Sequence, residues 1–533
     1  MQGLHPRSEG PESANASVAS ATMKKLGSRH YGLIVVVVLG VVAQLWYRSL
    51  GVHFSAEPLT FYIQFLDPEL LRHDLLRSLF YLRDQPPLFN AFLGAVLKLF
   101  PLHYAQAFEA IYVAGGIAFG VILYELMVRM RVAPVWAVVV TVLFVDSPIT
   151  ILYETWLFYT FPLAIVLCGT ALALQRYLST RRFRDASIFF WLVAILVLAR
   201  NIFHPLWMLS VVGALIAVER GRRPTVTLAA LAPTLVVVAL LVKHLVVFHT
   251  LFQGRPIQQM NLAAMTSIRL PEAKRARLIR EGKLTPLSDT PITAGPDGFR
   301  RLVPPQPKTG IPVLDADYKT GSGFPNWNNT IYVPVGERYG EDAAYVLSHH
   351  PSVYVQAVRE NFDRYVLPSD QVDPFKTRAY ESGQDMLVLR NRQAVRPLLT
   401  PYNRLFAWQQ SPEGTPILHW IGFPLLLIYA LAVIAGAIRG RRVFAAPSLD
   451  PAATERRSLE LTVAYTLYVI LWLSAITLFF SYSDHNRYRF KVSAFYCLFL
   501  ALFGQWTWAA GHREVRRLRA RAVADKGKPS AGA

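Results

Sequence analysis

The sequence predicts an all-α polytopic membrane protein with about ten transmembrane helices and a large extracytoplasmic loop region of mixed structure. Composition comes first: 53% of the 533 residues are hydrophobic and the mean hydropathy is +0.30. The apolar residues gather into blocks about twenty residues long, the length that crosses a bilayer as a helix. These blocks lack the alternation of barrel strands, so helices remain as the way to satisfy backbone polar groups in lipid. The third observation is charge. The formal net charge of +20 could attract nucleic acid, but Arg and Lys sit in short clusters at the ends of apolar blocks, as in cytoplasmic loops. That distribution argues for membrane lipids and against nucleic acid as a partner.

The expected spans are 31–50, 104–128, 133–150, 155–175, 185–200, 203–218, 225–247, 416–438, 459–482 and 488–510. With the N-terminus inside, the cytoplasmic ends receive Arg129 with Arg131, then Arg176 with Arg181, Arg182 and Arg184, then Arg220, Arg222 and Arg223. Arg439, Arg441, Arg442, Arg456 and Arg457 follow on the same side, and the tail adds Arg513, Arg516, Arg517, Arg519 and Arg521. Both termini are therefore expected in the cytoplasm of a multi-pass cell-membrane protein. The apolar stretch from Pro86 to Phe100 is too short for a crossing, and counting it as one would invert every later cluster. It reads as a juxtamembrane or re-entrant helix on the outer side, with Pro86 and Pro87 in its first turn.

This yields a disordered cytoplasmic N-terminus (1–30), rich in Ser, Ala and Gly through Met23, and an N-terminal transmembrane module (31–250). The module contains an acidic first outer loop (51–86) and the juxtamembrane helix (86–100). An extracytoplasmic region (251–415), C-terminal transmembrane helices (416–510) and a basic cytoplasmic tail (511–533) complete the chain. In the long outer region, stretches such as Tyr345 to Phe362 and Thr377 to Thr400 could be helical. Cys168 and Cys497 both lie inside apolar blocks, so neither a disulfide framework nor a cysteine metal site is expected.

Three groups of residues can carry chemistry. The first outer loop holds Glu57, Asp67, Glu69, Asp74 and Asp84 near the membrane face, where a carboxylate can serve as general base toward a hydroxyl. The competing reading is a set of solvated loop charges. Glu154, in the run from Tyr153 to Tyr159, lies at the outer start of a span with Asp146 before it. An ionisable group at membrane depth is costly and usually functional, although an interfacial position in an aromatic belt would also accommodate it. The third group is basic residues on the outer side: Arg200 and His204, Lys243, His244 and His249, and the turn Asp484-His485-Asn486-Arg487-Tyr488-Arg489-Phe490-Lys491. Cations there work against orientation, and binding a lipid phosphate is a natural reason for them, as is pairing with outer carboxylates. Asp315-Ala316-Asp317 matches a short pattern of nucleotide-sugar enzymes, and Asn328-Asn329-Thr330 is a glycosylation sequon. Both matches are weak.

Asp84-Gln85-Pro86-Pro87-Leu88-Phe89-Asn90, opening a short apolar helix after an acidic loop, resembles the His-Pro-Pro-Leu region of the GT-C membrane glycosyltransferases. The protein-mannosyltransferase and lipid A aminoarabinose-transferase branches show it best. Asn486-Arg487-Tyr488-Arg489-Phe490 resembles their C-terminal Arg-Tyr-Arg motif, and Ser147-Pro148 followed by Glu154 also fits. The similarity covers the topology of about 30–250 and 415–510. Many relatives carry an Asp-Glu pair followed by Tyr after the first span. Here Ala56-Glu57 with Tyr62 stands in that place, and Gln85 replaces the usual His or Lys.

The resemblance implies an inverting glycosyltransferase that uses a polyprenyl-phosphate sugar donor and a glycan, lipid or protein acceptor on the outer face. Glu57, Asp67 and Glu154 become the catalytic candidates. Arg200, His204, Arg487, Arg489 and Lys491 become the donor-phosphate candidates, and Asp84, Gln85, Pro86 and Pro87 a substrate loop. A divalent metal ion is compatible with this chemistry, but no residue pattern demands a cofactor. A lipid-linked oligosaccharide flippase and an O-antigen-type polymerase are the alternatives. Charges gathered at outer ends, rather than in broken central helices or repeats, weigh against a transporter.

Overall fold

A computed structural model of the chain describes residues 11–366, 386–405, 417–440, 450–483 and 485–526. The expected loop residues 367–385, Asp484 and the last part of the tail lie outside them. Among the described residues every named element is a helix, and β-structure is limited to two isolated bridges, Ser55 with Trp156 and Tyr318 with Pro325. The segment from Pro11 to residue 30, expected to be irregular, belongs to the helix Pro11–Ser49. Its Ala, Met and Lys residues are good helix formers, and the apolar span that follows extends the same helix.

Among the described residues, five helices are long and apolar enough to cross a bilayer: Arg29–Ser49, Tyr104–Arg129, Thr160–Thr180, Arg220–Phe248 and Pro451–Phe480. A sixth crossing arises if Pro134–Val145 and Pro148–Glu154 count as one span bent by 57°. The bend falls inside the block 133–150, where the sequence predicts continuity. Asp146 ends the first helix and Ser147 caps the second, its Oγ accepting from Thr150 N at 3.2 Å. Pro148 in the next position has no N–H to continue the ladder. The other expected crossings correspond to the shorter helices Phe183–Ala199 and Pro205–Val218, to Ile417–Arg439, and to Ser493–Lys526, whose second half is basic.

Large apolar side chains point outward along these helices. Ile34, Val38, Val42 and Leu45 do so on the first, and Leu228, Leu235, Val242 and Val246 on Arg223–Phe248. Such continuous exposed stripes suit lipid and not water.

At one end of the bundle lie the chain's two long loops. Residues 251–366 fold around their own core of Met260, Phe299, Tyr332, Val335 and Tyr339. Asp342 pins this unit by accepting from Thr285 N, Thr285 Oγ1 and Ser288 Oγ at 2.7–2.8 Å. The helix Pro351–Val366 then returns to the bundle. Asn361 Nδ2 donates to the Leu478 and Ser481 carbonyls at 2.9 Å, meeting groups that the end of helix Pro451–Phe480 leaves open.

The opposite end is held by buried ions. Glu219 is fully buried between Arg181 and Arg457, with Arg457 Nη1 at 2.7 Å. Arg457 Nη2 also donates to the Val218 carbonyl at 2.6 Å. This joins the helices Thr160–Thr180, Pro205–Val218 and Pro451–Phe480 at their ends. Removing the shared anion strands two guanidiniums in a poorly solvated site. Glu219→Ala is expected to destabilise the bundle by about 3–5 kcal/mol. Unfolding of the purified protein in detergent, followed by circular dichroism, measures this, and a change within error would remove the triad from any structural role.

Candidate functional site

The site is built where the first loop meets the start of the helix Thr160–Thr180. Ser55 N donates to the Thr155 carbonyl at 2.8 Å, and Leu157 N donates to the Ser55 carbonyl at 2.9 Å. This short parallel bridge carries Tyr62 and Gln64 toward Tyr159. The hydroxyls of Tyr62 and Tyr159 stand 3.4 Å apart, and Tyr159 Oη donates to Gln64 Oε1 at 3.3 Å. Tyr159 itself is fully buried.

Two guanidiniums bracket Tyr159. Arg200 leaves the helix Phe183–Ala199 in an extended conformation and lies over the Tyr159 ring, 3.7 Å from its centroid. Its Nη1 donates to Gln64 Oε1 and to Gln85 Oε1, the latter at 2.9 Å. Arg487 Nη1 donates to Tyr159 Oη at 2.9 Å. Lys491 Nζ lies 4.1 Å from the Tyr488 ring centroid and 5.8 Å from that of Tyr159. Arg487 and Arg489 lie on the helix His485–Phe490 and Lys491 directly follows it, and Arg200, Arg487, Arg489 and Lys491 are all at least nine-tenths buried. Arg200 meets amide oxygens and an aromatic ring, and among the described residues no carboxylate pairs with it. Burying such a charge is costly unless an anion arrives.

Arg489 faces the other way. Its Nη1 donates to the Tyr365 carbonyl at 2.7 Å, and its side chain closes one end of an apolar groove of about 470 Å³. Val140, Phe144, Tyr496, Cys497 and Leu500 line the groove, and Trp136 and Trp508 stand at its far end. Ser493 to Trp508 on one helix gives it a length of roughly 20 Å at 1.5 Å per residue. Its shape and polarity fit a hydrocarbon chain whose polar head stops at a guanidinium.

The sequence candidates divide as follows. Arg200, Gln85, Arg487 and Lys491 come together around Tyr159. Pro86 and Pro87 precede the helix Leu88–Leu99, behind Gln85. His204 is not in the cluster: it caps the helix Pro205–Val218, its Nδ1 accepting from Leu206 N at 3.2 Å, and its ring packs on Phe252. Asp84 pairs with Arg83 at 3.3 Å, and burial pushes its carboxyl up. Glu154 lies in a separate crevice, accepting from Gln44 Nε2 at 2.7 Å, and Gly116 leaves room for its carboxylate. Glu57 is half-buried at the start of the helix Pro58–Phe61, two residues beyond the Ser55 bridge.

Asp67 is engaged at both oxygens. One caps the helix Pro68–His73 by accepting from Glu69 N at 3.0 Å, and the other accepts from Thr320 N at 2.6 Å. Lys319 beside it is buried and donates to the Tyr62 carbonyl at 2.5 Å. Burial lowers its ammonium to about 7 from the ordinary 10.5, against the pull of Asp67. Neither Lys319 nor Gln64 stands out in the sequence, because both act through contacts between distant segments.

The weaker motifs resolve into structure. Asp315 accepts from Thr309 N and Gly310 N at 2.7–2.8 Å, and Asp317 pairs with Arg300 at 2.6 Å. Asn328 of the sequon is buried. Among the described residues, no group of three or more His, Cys, Asp or Glu side chains is arranged to hold a metal ion.

Two outcomes follow from the junction of the loops. Asp67→Asn keeps one acceptor oxygen but weakens both backbone bonds. A cap is worth about 1 kcal/mol, so faster limited proteolysis between residues 316 and 326 is expected. Unchanged proteolysis would leave Asp67 without its structural role. Lys319 binds its proton less tightly in the folded chain than in the unfolded chain. Stability is therefore full above pH 10.5 and is lost as pH falls toward 7. The same proteolysis should slow from pH 7 to pH 9, and Lys319→Met should flatten that slope. An equal slope in the variant would assign it to another group.

Comparison of the chain with protein-family models, with curated proteins and with solved structures finds no match, so the reading of this site stands on its geometry.

Proposed function

We propose that the chain is an integral membrane glycosyltransferase of the GT-C type, transferring a hexosyl or pentosyl unit from a polyprenyl-phosphate donor to an acceptor on the extracytoplasmic face. The topology that goes with this reading has about ten crossings and both termini in the cytoplasm. The observation that carries it is the apolar groove ending at Arg489. A polyprenyl tail fits the groove, and its phosphate meets Arg489, with Arg487 two residues earlier on the other side of the same short helix.

In this mechanism a carboxylate takes the acceptor hydroxyl proton as that oxygen attacks the anomeric carbon. The bond from that carbon to the phosphate oxygen breaks, and the electron pair leaves with the phosphate. Guanidiniums stabilise the charge that develops there. A single displacement inverts the anomeric centre. Asp67 is committed to backbone N–H groups and Glu154 faces Gln44 in another crevice, so Glu57 takes the role of base. Its position on the bridged segment, close in sequence to Tyr62 and Gln64, supports this assignment.

Charge-assisted hydrogen bonds contribute about 1.5–3 kcal/mol. Arg489→Ala should therefore weaken binding of a polyprenyl phosphate by roughly ten- to a hundredfold while the protein still inserts. Glu57→Gln should lower turnover by about a hundred- to ten-thousandfold with donor binding intact. Both are measured with purified protein and labelled polyprenyl-phosphate sugars. Unchanged donor affinity in Arg489→Ala would move the lipid site elsewhere. Wild-type turnover in Glu57→Gln would remove the base and favour a flippase.

A further inference from the structure

A second cavity lies apart from the cation cluster and takes no part in the function proposed above. It occupies about 340 Å³ between the end of the helix Arg223–Phe248, the first loop and the folded unit of residues 251–366. Two guanidiniums line it, Arg83 and Arg255, together with His249 and the carboxylate of Glu337; Tyr81 and Phe252 add aromatic walls.

The cavity is constructed by local geometry. His249 ends its helix in the left-handed region, at φ +54°. Gly254, at φ +73°, then turns the chain so tightly that a Cβ there would stand 2.9 Å from the Asp84 carbonyl and 2.5 Å from Asn201 Nδ2. That turn starts the helix Arg255–Ala264 at the cavity, adding the positive end of a helix to the lining. Arg83 is nine-tenths buried. Its Nε and Nη2 are committed to Asp84 and to the Trp327 and Asn329 carbonyls, while Nη1 has no hydrogen-bond partner. An orphan donor on a buried guanidinium is a costly feature unless an acceptor reaches it.

We infer that this cavity is a binding site for an anionic sugar unit, a single ring bearing a carboxylate or a phosphate. The two guanidiniums and the helix terminus meet the acid group. Glu337 accepts from ring hydroxyls, and Tyr81 and Phe252 cover the apolar face of the ring. The volume falls within the range of small-molecule sites. The cavity is separate from the apolar groove: the two share no lining residue. The inference therefore does not rest on glycosyl transfer.

The test is binding of glucuronate, glucose 6-phosphate and neutral glucose to the purified full-length protein in nanodiscs, by isothermal titration. Both acids should bind saturably and at least tenfold more tightly than glucose. Arg255→Glu, at an exposed position, should weaken both acids tenfold or more, and Val333→Trp should fill the cavity and abolish binding. Arg489→Ala should leave acid binding unchanged, which separates this site from the lipid groove. Equal binding of glucose, no saturable binding of either acid, or acid binding unaltered in Arg255→Glu would overturn the proposal. Displacement of the acids by phosphatidylglycerol in the nanodisc would also overturn it, assigning the cavity to a lipid headgroup.

Discussion

A buried guanidinium must find acceptors for its donors and a partner for its charge, and Arg200 sets this constraint on the whole loop end of the bundle. Its acceptors, Gln64 and Gln85, lie about twenty residues apart in the first loop, and the ring beneath it, Tyr159, belongs to the start of the helix Thr160–Thr180. Neither glutamine can meet Arg200 unless the loop folds back on itself. Tyr159 is in place only because the bridge between Ser55 and Trp156 holds the two segments together. A cation–π contact at this distance in a desolvated site is worth about 2 kcal/mol, less than the cost of burying the charge. The arrangement therefore stores a demand for negative charge at the point where first loop, bundle and C-terminal turn converge.

The second long loop is fastened to the first mainly through main-chain groups. Lys319 reaches the Tyr62 carbonyl, Thr320 N reaches Asp67, Arg83 reaches the Trp327 and Asn329 carbonyls, and Ser322 Oγ reaches the Thr60 carbonyl at 3.0 Å. Bonds of this kind depend on where the backbone runs and leave few side chains available for other work. This is why Asp67, Asp84, Asp315 and Asp317, all plausible as chemical groups from their position in the sequence, are occupied in holding loops. A substrate hydroxyl reaching Asp67 would have to compete with the backbone N–H bonds that fasten the two loops there.

What the sequence disclosed followed the range of the interactions involved. Spans such as 104–128 were legible because twenty apolar residues in a row have one reading in lipid, and they match Tyr104–Arg129 closely. The bend at Asp146–Ser147 was signalled by Ser-Pro, yet the surrounding apolar residues masked it. Arg200, Arg487, Arg489 and Lys491 stand out in the sequence because they break the charge bias expected of their end of the spans, and the structure buries all four. His204 obeyed the same logic, but it caps its own helix instead. Gln64, Lys319 and the short helices of residues 255–315 were not legible, whereas the helical stretch Tyr345 to Phe362 was and falls in the helices Tyr332–His349 and Pro351–Val366. Neutral amides and contacts hundreds of residues apart leave no local pattern, and a polar stretch dense in Pro and Gly hides short helices.

The groove and the cluster face opposite sides of the short helix His485–Phe490, and this has a physical consequence. Arg489 looks into the groove, while Arg487 two residues earlier holds Tyr159 Oη. Arg487 and Arg200 both act on Tyr159, so two like charges are held close in a medium that screens them weakly. An anion stopping at Arg489 would lower the potential at Arg487 as well, because both guanidiniums ride on the same two turns. The repulsion across Tyr159 would fall, and the links from Arg200 to Gln64 and Gln85 would tighten. Charge arriving beside Arg489 would thus act on the first loop, where Glu57 sits, through electrostatics.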